Sequence, residues 1–303
     1  MKSALLSIVI VLLFIVFAWA LNDPSLSNSS VRGPTNDDLA SMSHTRMLSL
    51  FMHKSQVTVG SQDKNLVKES VKVSTATTRV LPASADVWQS SIQVRDQGPW
   101  GSCTAFSTRY AYLINQAKNG QPLVEPSTSF WYAKSRAITP GFTTLSDTGS
   151  TLSATMNVLT NIGTIPETAW PYTGANIFVR PLIIPDPSSD INIMRKLTIS
   201  NSASTNLTTI KTALADGHAV LIAILVFRSF MTTTVLTTGV VPLPQKSEQA
   251  IGGHAICLTG YNDATQTFTF YNSWGTYTGV NGRFTLPYAY ASSPSYAGEY
   301  FSF

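Results

Sequence analysis

Hydrophobic and polar positions along the chain fall into three successive regimes. Residues 4–17 are an almost unbroken apolar run, Ala-Leu-Leu-Ser-Ile-Val-Ile-Val-Leu-Leu-Phe-Ile-Val-Phe, preceded by Met1-Lys2 and followed by Ala18-Trp19-Ala20. A positive start, an apolar stretch and a small-x-small site form an export signal over residues 1–20. The rival is an uncleaved anchor, because about 18 apolar residues can just cross a bilayer. On either reading the rest of the chain leaves the cytosol. Residues 21–80 are rich in Ser, Thr, Asn and Lys. One amphipathic helix is expected between Asp37 and His53, with Leu39, Met42, Met47, Leu50 and Phe51 near one face. Residues 61–80 read as extended and polar. Composition alone makes 21–80 a linker; position makes it a propeptide.

From Leu81 the pattern is that of a packed domain. Phe106, Tyr110, Leu113, Ile114 and Ala117 repeat at helical spacing over 103–118, and Asn119-Gly120 supplies a stop. Further helices are expected over 126–137, 151–159 and 206–215. Beyond about residue 190 the texture is that of strands, expected at 219–226, 235–241, 254–261, 267–272, 283–286 and 299–303. Helices first and strands second imply an α+β protein in two halves, 81–190 helical and 191–303 β-rich.

Hydrophobic residues make up 44% and charged residues 12%, so a sizeable core is available and wholesale disorder is excluded. Net charge is +4, but residues 1–80 carry eight basic and five acidic side chains, leaving 12 and 11 for the rest. The folded part is near neutral, without the basic stripe that a nucleic-acid backbone requires. Two cysteines, Cys103 and Cys257, cannot build a disulfide framework or a cysteine zinc site, and four scattered histidines lack metal-ligand spacing. No metal or cofactor is therefore expected.

Three residues carry candidate chemistry. Cys103 opens a predicted helix, where backbone N–H groups and the helix dipole lower a thiol's pKa and favour the nucleophilic thiolate. Taken alone, an isolated Cys is more often a small core hydrophobe. His254, in Gly252-Gly253-His254-Ala255, can take the thiol's proton and return it to a leaving group. Asn272, in Asn272-Ser273-Trp274-Gly275, can accept the second imidazole N–H and fix its tautomer. Each has an ordinary structural reading by itself; the three together do not.

These blocks resemble the papain family of cysteine peptidases. The likeness runs over about 81–303. It rests on Leu81-Pro82-Ala83-Ser84-Ala85-Asp86, on Val94-Arg95-Asp96-Gln97-Gly98, on Gly101-Ser102-Cys103-Thr104-Ala105-Phe106, and on the His254 and Asn272 blocks in order. It implies a helical left domain and a β-barrel-like right domain with the active site in the cleft between them. It makes Cys103 the nucleophile, His254 the base and acid, Asn272 its orienter, and Gln97 an oxyanion donor beside the Cys103 N–H. Trp274 would cover the Asn–His pair. Gly101, Gly149, Ser150 and Gly253 fall where substrate binds, with Thr151 or residues near Gly252 lining the pocket for the second side chain before the cut. Departures are Trp100 and Thr104 around the nucleophile, where the family has Cys and Trp, and Thr278 and Arg283 for Trp and Tyr. With Trp100 the neighbouring disulfide cannot form, which points to a divergent, disulfide-poor branch.

The main reading is thus an exported thiol endopeptidase acting on polypeptides, a monomer, with residues 21–80 as its own inhibitory prosegment. It would touch a membrane only if the N-terminal segment stays uncleaved, and would work outside the cell or in an endomembrane lumen. The alternatives are a catalytically silent peptide-binding or structural protein and a thiol transferase on the same scaffold. His218, in a similar Gly-His-Ala-Val setting, is expected to be a loop residue. Cys257 is expected to be a buried free thiol facing away from His254, into the interior of the β half. Asn28 and Asn206 are possible glycan acceptors.

Overall fold

The computed structural model describes residues 79–139, 142, 144–179, 195–197 and 201–303. The export signal, the helix expected at 37–53, Asn28 and nearly all of the expected prosegment lie outside the described residues, as does the junction near residue 190. Among the described residues no helix is long and apolar enough to cross a membrane, and no group of His, Cys, Asp and Glu is placed to hold a metal ion.

Three helices pack first in the chain: α1 (Cys103–Lys118), α2 (Thr128–Ile138) and α3 (Leu152–Asn161). Side-chain caps start two of them. Ser127 accepts from the Phe130 N–H at the start of α2, and Thr151 from the Ala154 N–H at the start of α3, both at 3.1 Å. The caps place α2 two residues later than its apolar spacing suggested, because Pro126 is held in a bridge to Pro166. Further on, α4 (Ala203–Ala215) begins after its own cap, Ser202.

The sheet is antiparallel. Its strands are β1 (Ser84–Asp86), β2 (Arg195–Lys196), β3 (Val220–Phe227), β4 (Ala250–Asn262), β5 (Thr267–Tyr271), β6 (Arg283–Pro287) and β7 (Ala297–Ser302). Their order is β2-β7-β3-β4-β5-β6. Strand β3 pairs with β4 as far as Leu258, and β1 pairs with Gly260, Tyr261 and Asn262 beyond that point. The N-terminal end of the domain is thereby tied into the β-rich half. β3 reads Val-Leu-Ile-Ala-Ile-Leu-Val-Phe because both of its faces are covered. Val220, Ile222, Ile224 and Val226 face one core, with Ile256, Leu258, Phe268 and Phe270. Leu221, Ala223, Ala255 and Cys257 face the other, against α1 and α3. Three of these four are small, which lets the helices approach the sheet closely.

Two sequence expectations are corrected. The strand expected at 235–241 is instead a short helix, α5 (Thr233–Thr238), followed by Gly239 at a φ of 72°. Its β-branched residues suggested a strand, but Thr232 caps the turn by accepting from the Val235 N–H at 3.3 Å, and only Val235 and Leu236 are buried. The left-handed glycine then ends it. Cys257 is a buried free thiol, yet it faces the helical side, among Tyr110 and Tyr271, and not the interior of the β half. The alternation along β4 was read correctly; which core lies on which face was not.

Candidate active site

Helix α1 differs from its neighbours at the start. Its N-cap residue, Ser102, makes no side-chain cap bond; the hydroxyl lies 2.6 Å from the Tyr172 hydroxyl instead. The first N–H groups of the helix are therefore left to other acceptors. Cys103 is the first residue of that helix and is buried. Backbone N–H groups of Thr104 and of Ala255, the residue after His254 on β4, favour the thiolate electrostatically. Helix α1, which Cys103 opens, thus abuts β4, the strand that carries His254.

His254 is buried, and its Nε2 lies 2.9 Å from Asn272 Oδ1. The Ser273 backbone N–H donates to the same Asn272 oxygen at 2.9 Å. A backbone N–H can only donate, so the oxygen, not the amide nitrogen, faces this side. Nε2 must then carry a proton that Asn272 accepts, and Nδ1 is left bare as a proton acceptor. Trp274 stacks on the imidazole with centroids 5.0 Å apart at 25° and is itself buried against Phe230 and Phe284. It covers one face of the imidazole next to the His254–Asn272 bond.

Gln97 is buried and held on every side. Its backbone N–H donates to the Ser273 carbonyl at 2.8 Å, and its own carbonyl accepts from the Tyr172 hydroxyl at 2.7 Å. Its Nε2 donates to the Trp100 carbonyl at 2.6 Å, while Oε1 accepts from the Ser273 hydroxyl. Because a carbonyl can only accept, the amide orientation is fixed, and these bonds use one of the two Nε2 hydrogens.

The substrate-side residues are more varied. Gly253 lies on β4 opposite Leu225, immediately before His254. Gly101 donates its N–H to the Asp147 carboxylate, and a Cβ there would stand 3.1 Å from the Gly149 Cα, so a side chain would need its neighbours to give by a few tenths of an ångström. Gly149 adopts a φ of 73° and gives its N–H to Tyr132. Ser150 is only 2% exposed, with its hydroxyl bonded to Ser135 at 2.7 Å, so contact with substrate there would run through the backbone. Thr151 is occupied as the α3 cap. The departures are absorbed locally: Trp100 packs edge-on against Phe178, Thr104 accepts from Thr155, Thr278 bonds to the Trp274 and Gly275 carbonyls, and Arg283 pairs with Asp86 over Trp88. His218 sits before β3 beside Lys118, remote from this cluster. Sequence reasoning missed Ser273, Tyr172 and Asp147 as supports; Ser273 lay inside a recognised block, the other two in no motif.

Burial sets the electrostatics. It pushes the Cys103 thiol up to about 11, against the lowering effect of the Ala255 and Thr104 N–H groups. It also drops His254 to about 4, against the Asn272 bond. The helix start was expected to lower the thiol's pKa, and here desolvation outweighs it. Between these limits the pair holds one titratable proton, whichever atom carries it.

A family model described as papain family cysteine protease matches residues 81–293. An uncharacterized peptidase C1-like protein from Acanthamoeba polyphaga mimivirus is 32% identical over 213 residues, 68% of this chain and 67% of that protein. Among solved structures, xylellain, a cysteine protease from Xylella fastidiosa, is similar with a TM-score of 0.64 at 28% identity, covering 74% of this chain and 86% of xylellain. Digestive procathepsin L 3 from the Tenebrio molitor larval midgut gives 0.62 at 20% identity, with 86% and 79% covered, a likeness of fold alone.

Proposed function

The chain belongs to the papain family of cysteine proteases, and from that premise we propose that it is an active, exported thiol endopeptidase. The observation that carries the proposal is the His254–Asn272–Ser273 arrangement, which leaves the imidazole Nδ1 bare as a proton acceptor. A silent peptide-binding relative would have no use for a fixed tautomer or for a Gln97 amide with one hydrogen in reserve. In the reaction, Nδ1 takes the Cys103 proton as the sulfur attacks the peptide carbonyl. The carbonyl oxygen, now negative, is held by the Gln97 Nε2–H and the Cys103 N–H. Nδ1–H then protonates the leaving amine, giving a thioester, and water activated by the same nitrogen hydrolyses it to acid and free thiol. Hydrolysis of a peptide library by residues 81–303 tests this; transfer to an added amine in place of hydrolysis would move the reading to a transferase.

The shifts of Cys103 and His254 set the pH dependence. Below about pH 4 His254 gains a proton and can no longer act as base. Above about pH 11 the pair loses its last proton and has no acid for the leaving amine. The expected kcat/KM profile is a broad plateau with limbs near these values. A profile on a small peptide that falls through an acid limb near 6.5, the unperturbed imidazole value, would show that the site is solvated in use.

Residues 21–80 are proposed to be an inhibitory prosegment, since the family match begins at residue 81 and the matching Tenebrio protein was solved as a procathepsin. A chain of 21–303 should show a lag and cleavage near residue 80 that 81–303 does not. Equal initial rates without cleavage would leave 21–80 a linker.

A further inference from the structure

The Trp100–Gly101 peptide unit is gripped at both ends. Its carbonyl accepts from Gln97 Nε2 at 2.6 Å, and its N–H donates to both Asp147 oxygens at 3.0 Å. The carboxylate in turn accepts from the Tyr132 hydroxyl, and that hydroxyl accepts from the Gly149 N–H at 3.2 Å. Arg136, stacked on Tyr132, supplies a compensating positive charge and ties down the Ser146 carbonyl. The contact admits little play, because the missing Gly101 side chain would meet both Gly149 and Asp147. Where the family resemblance expects a disulfide cysteine this chain has Trp100, and the loop is held by the Gln97 and Asp147 hydrogen bonds together with the Trp100–Phe178 contact.

We propose that Asp147 is a positioning residue for the oxyanion donor: through the single peptide plane of Trp100–Gly101 it fixes the Gln97 amide beside Cys103. A negative charge on the N–H end of an amide polarises its carbonyl and strengthens the bond that the carbonyl accepts. The Gln97 amide is then held by Trp100 and Ser273 together, with its remaining hydrogen aimed at the developing charge. The proposal rests on the peptidase reading and adds to it a residue that never touches substrate.

The test uses the full chain, activated identically for each variant. Asp147→Ala should lower kcat by about 10-fold or more with little change in KM, within the roughly 100–1000-fold that losing one oxyanion donor costs. Asp147→Asn, which keeps an acceptor for the Gly101 N–H, should recover part of that loss. Combined with Gln97→Ala, either substitution should cost nothing further, because both act on one donor. Alkylation of Cys103 by iodoacetamide builds no oxyanion and should not slow in the Asp147 variants, whose lost negative charge favours the thiolate; retained alkylation also shows that the site is folded. Wild-type kcat in Asp147→Ala, additive losses with Gln97→Ala, or loss of alkylation parallel to loss of turnover would each overturn the positioning role. If Asp147→Ala does not fold, the Asp147→Asn and Gln97→Ala pair decides by the same coupling. An unmodified chain that is alkylated at Cys103 yet cleaves no peptide would instead refute the peptidase reading.

Discussion

Cys103→Ala is expected to abolish peptide hydrolysis, by a factor on the order of a million when measured against the unmodified enzyme. The sulfur is the atom that forms and breaks the covalent bond, and neither water nor a neighbouring side chain can replace it. Cys257, the second thiol, lies buried among Tyr110 and Tyr271, where burial pushes its pKa well above the ordinary value. It has no route to a substrate carbonyl. The substitution should leave folding intact, since Ala is smaller and the loop is held by Gln97, Ser102 and Asp147. Thermal unfolding near that of the unmodified protein, with no detectable turnover, is the expected pair of results. Residual hydrolysis above that of Gln97→Ala would mean that another nucleophile carries the reaction.

His254→Ala is expected to cost several orders of magnitude, while His218→Ala leaves turnover nearly intact. Both histidines sit between a glycine and an alanine, so sequence alone gives them similar surroundings. They differ in what each ring meets. His254 is buried under Trp274 with Asn272 accepting from Nε2. His218 lies within 2.9 Å of the Lys118 ammonium, a neighbour that does not orient a base. Steady-state kinetics of the two variants on one peptide, with thermal unfolding as a control, separates them. A greater loss at His218 would reassign the base.

The helical and strand texture was readable wherever burial was periodic. Helix α1 carries its apolar residues at helical spacing and ends where Asn119-Gly120 said it would. Strand β3 is apolar throughout because a core lies on each side. Legibility failed in two ways, where a local cap went unweighed and where the deciding partner is distant in sequence. Val235 and Leu236 have strand-like side chains, but a single Thr232 cap and a left-handed Gly239 make their segment helical. Three-residue β1 exists only through its pairing with Gly260–Asn262. The chemical residues were visible because fixed blocks surround them, and the structure then supplied what no block encodes. It showed which imidazole nitrogen is free, which core faces Cys257, and that desolvation opposes the helix start at Cys103. Asp147 stands 44 residues from Cys103 with no motif around it; its role depends on a glycine with no side chain to keep it away.

The most direct test of Cys103 as the nucleophile is titration with sub-stoichiometric iodoacetamide, followed by peptide mass spectrometry under denaturing conditions and by residual activity. The expected result is that the fraction of Cys103 alkylated equals the fraction of activity lost, with Cys257 unlabelled until the protein is unfolded. Equal labelling of both cysteines with activity retained, or a linked 103–257 peptide in the unreduced active protein, would contradict it.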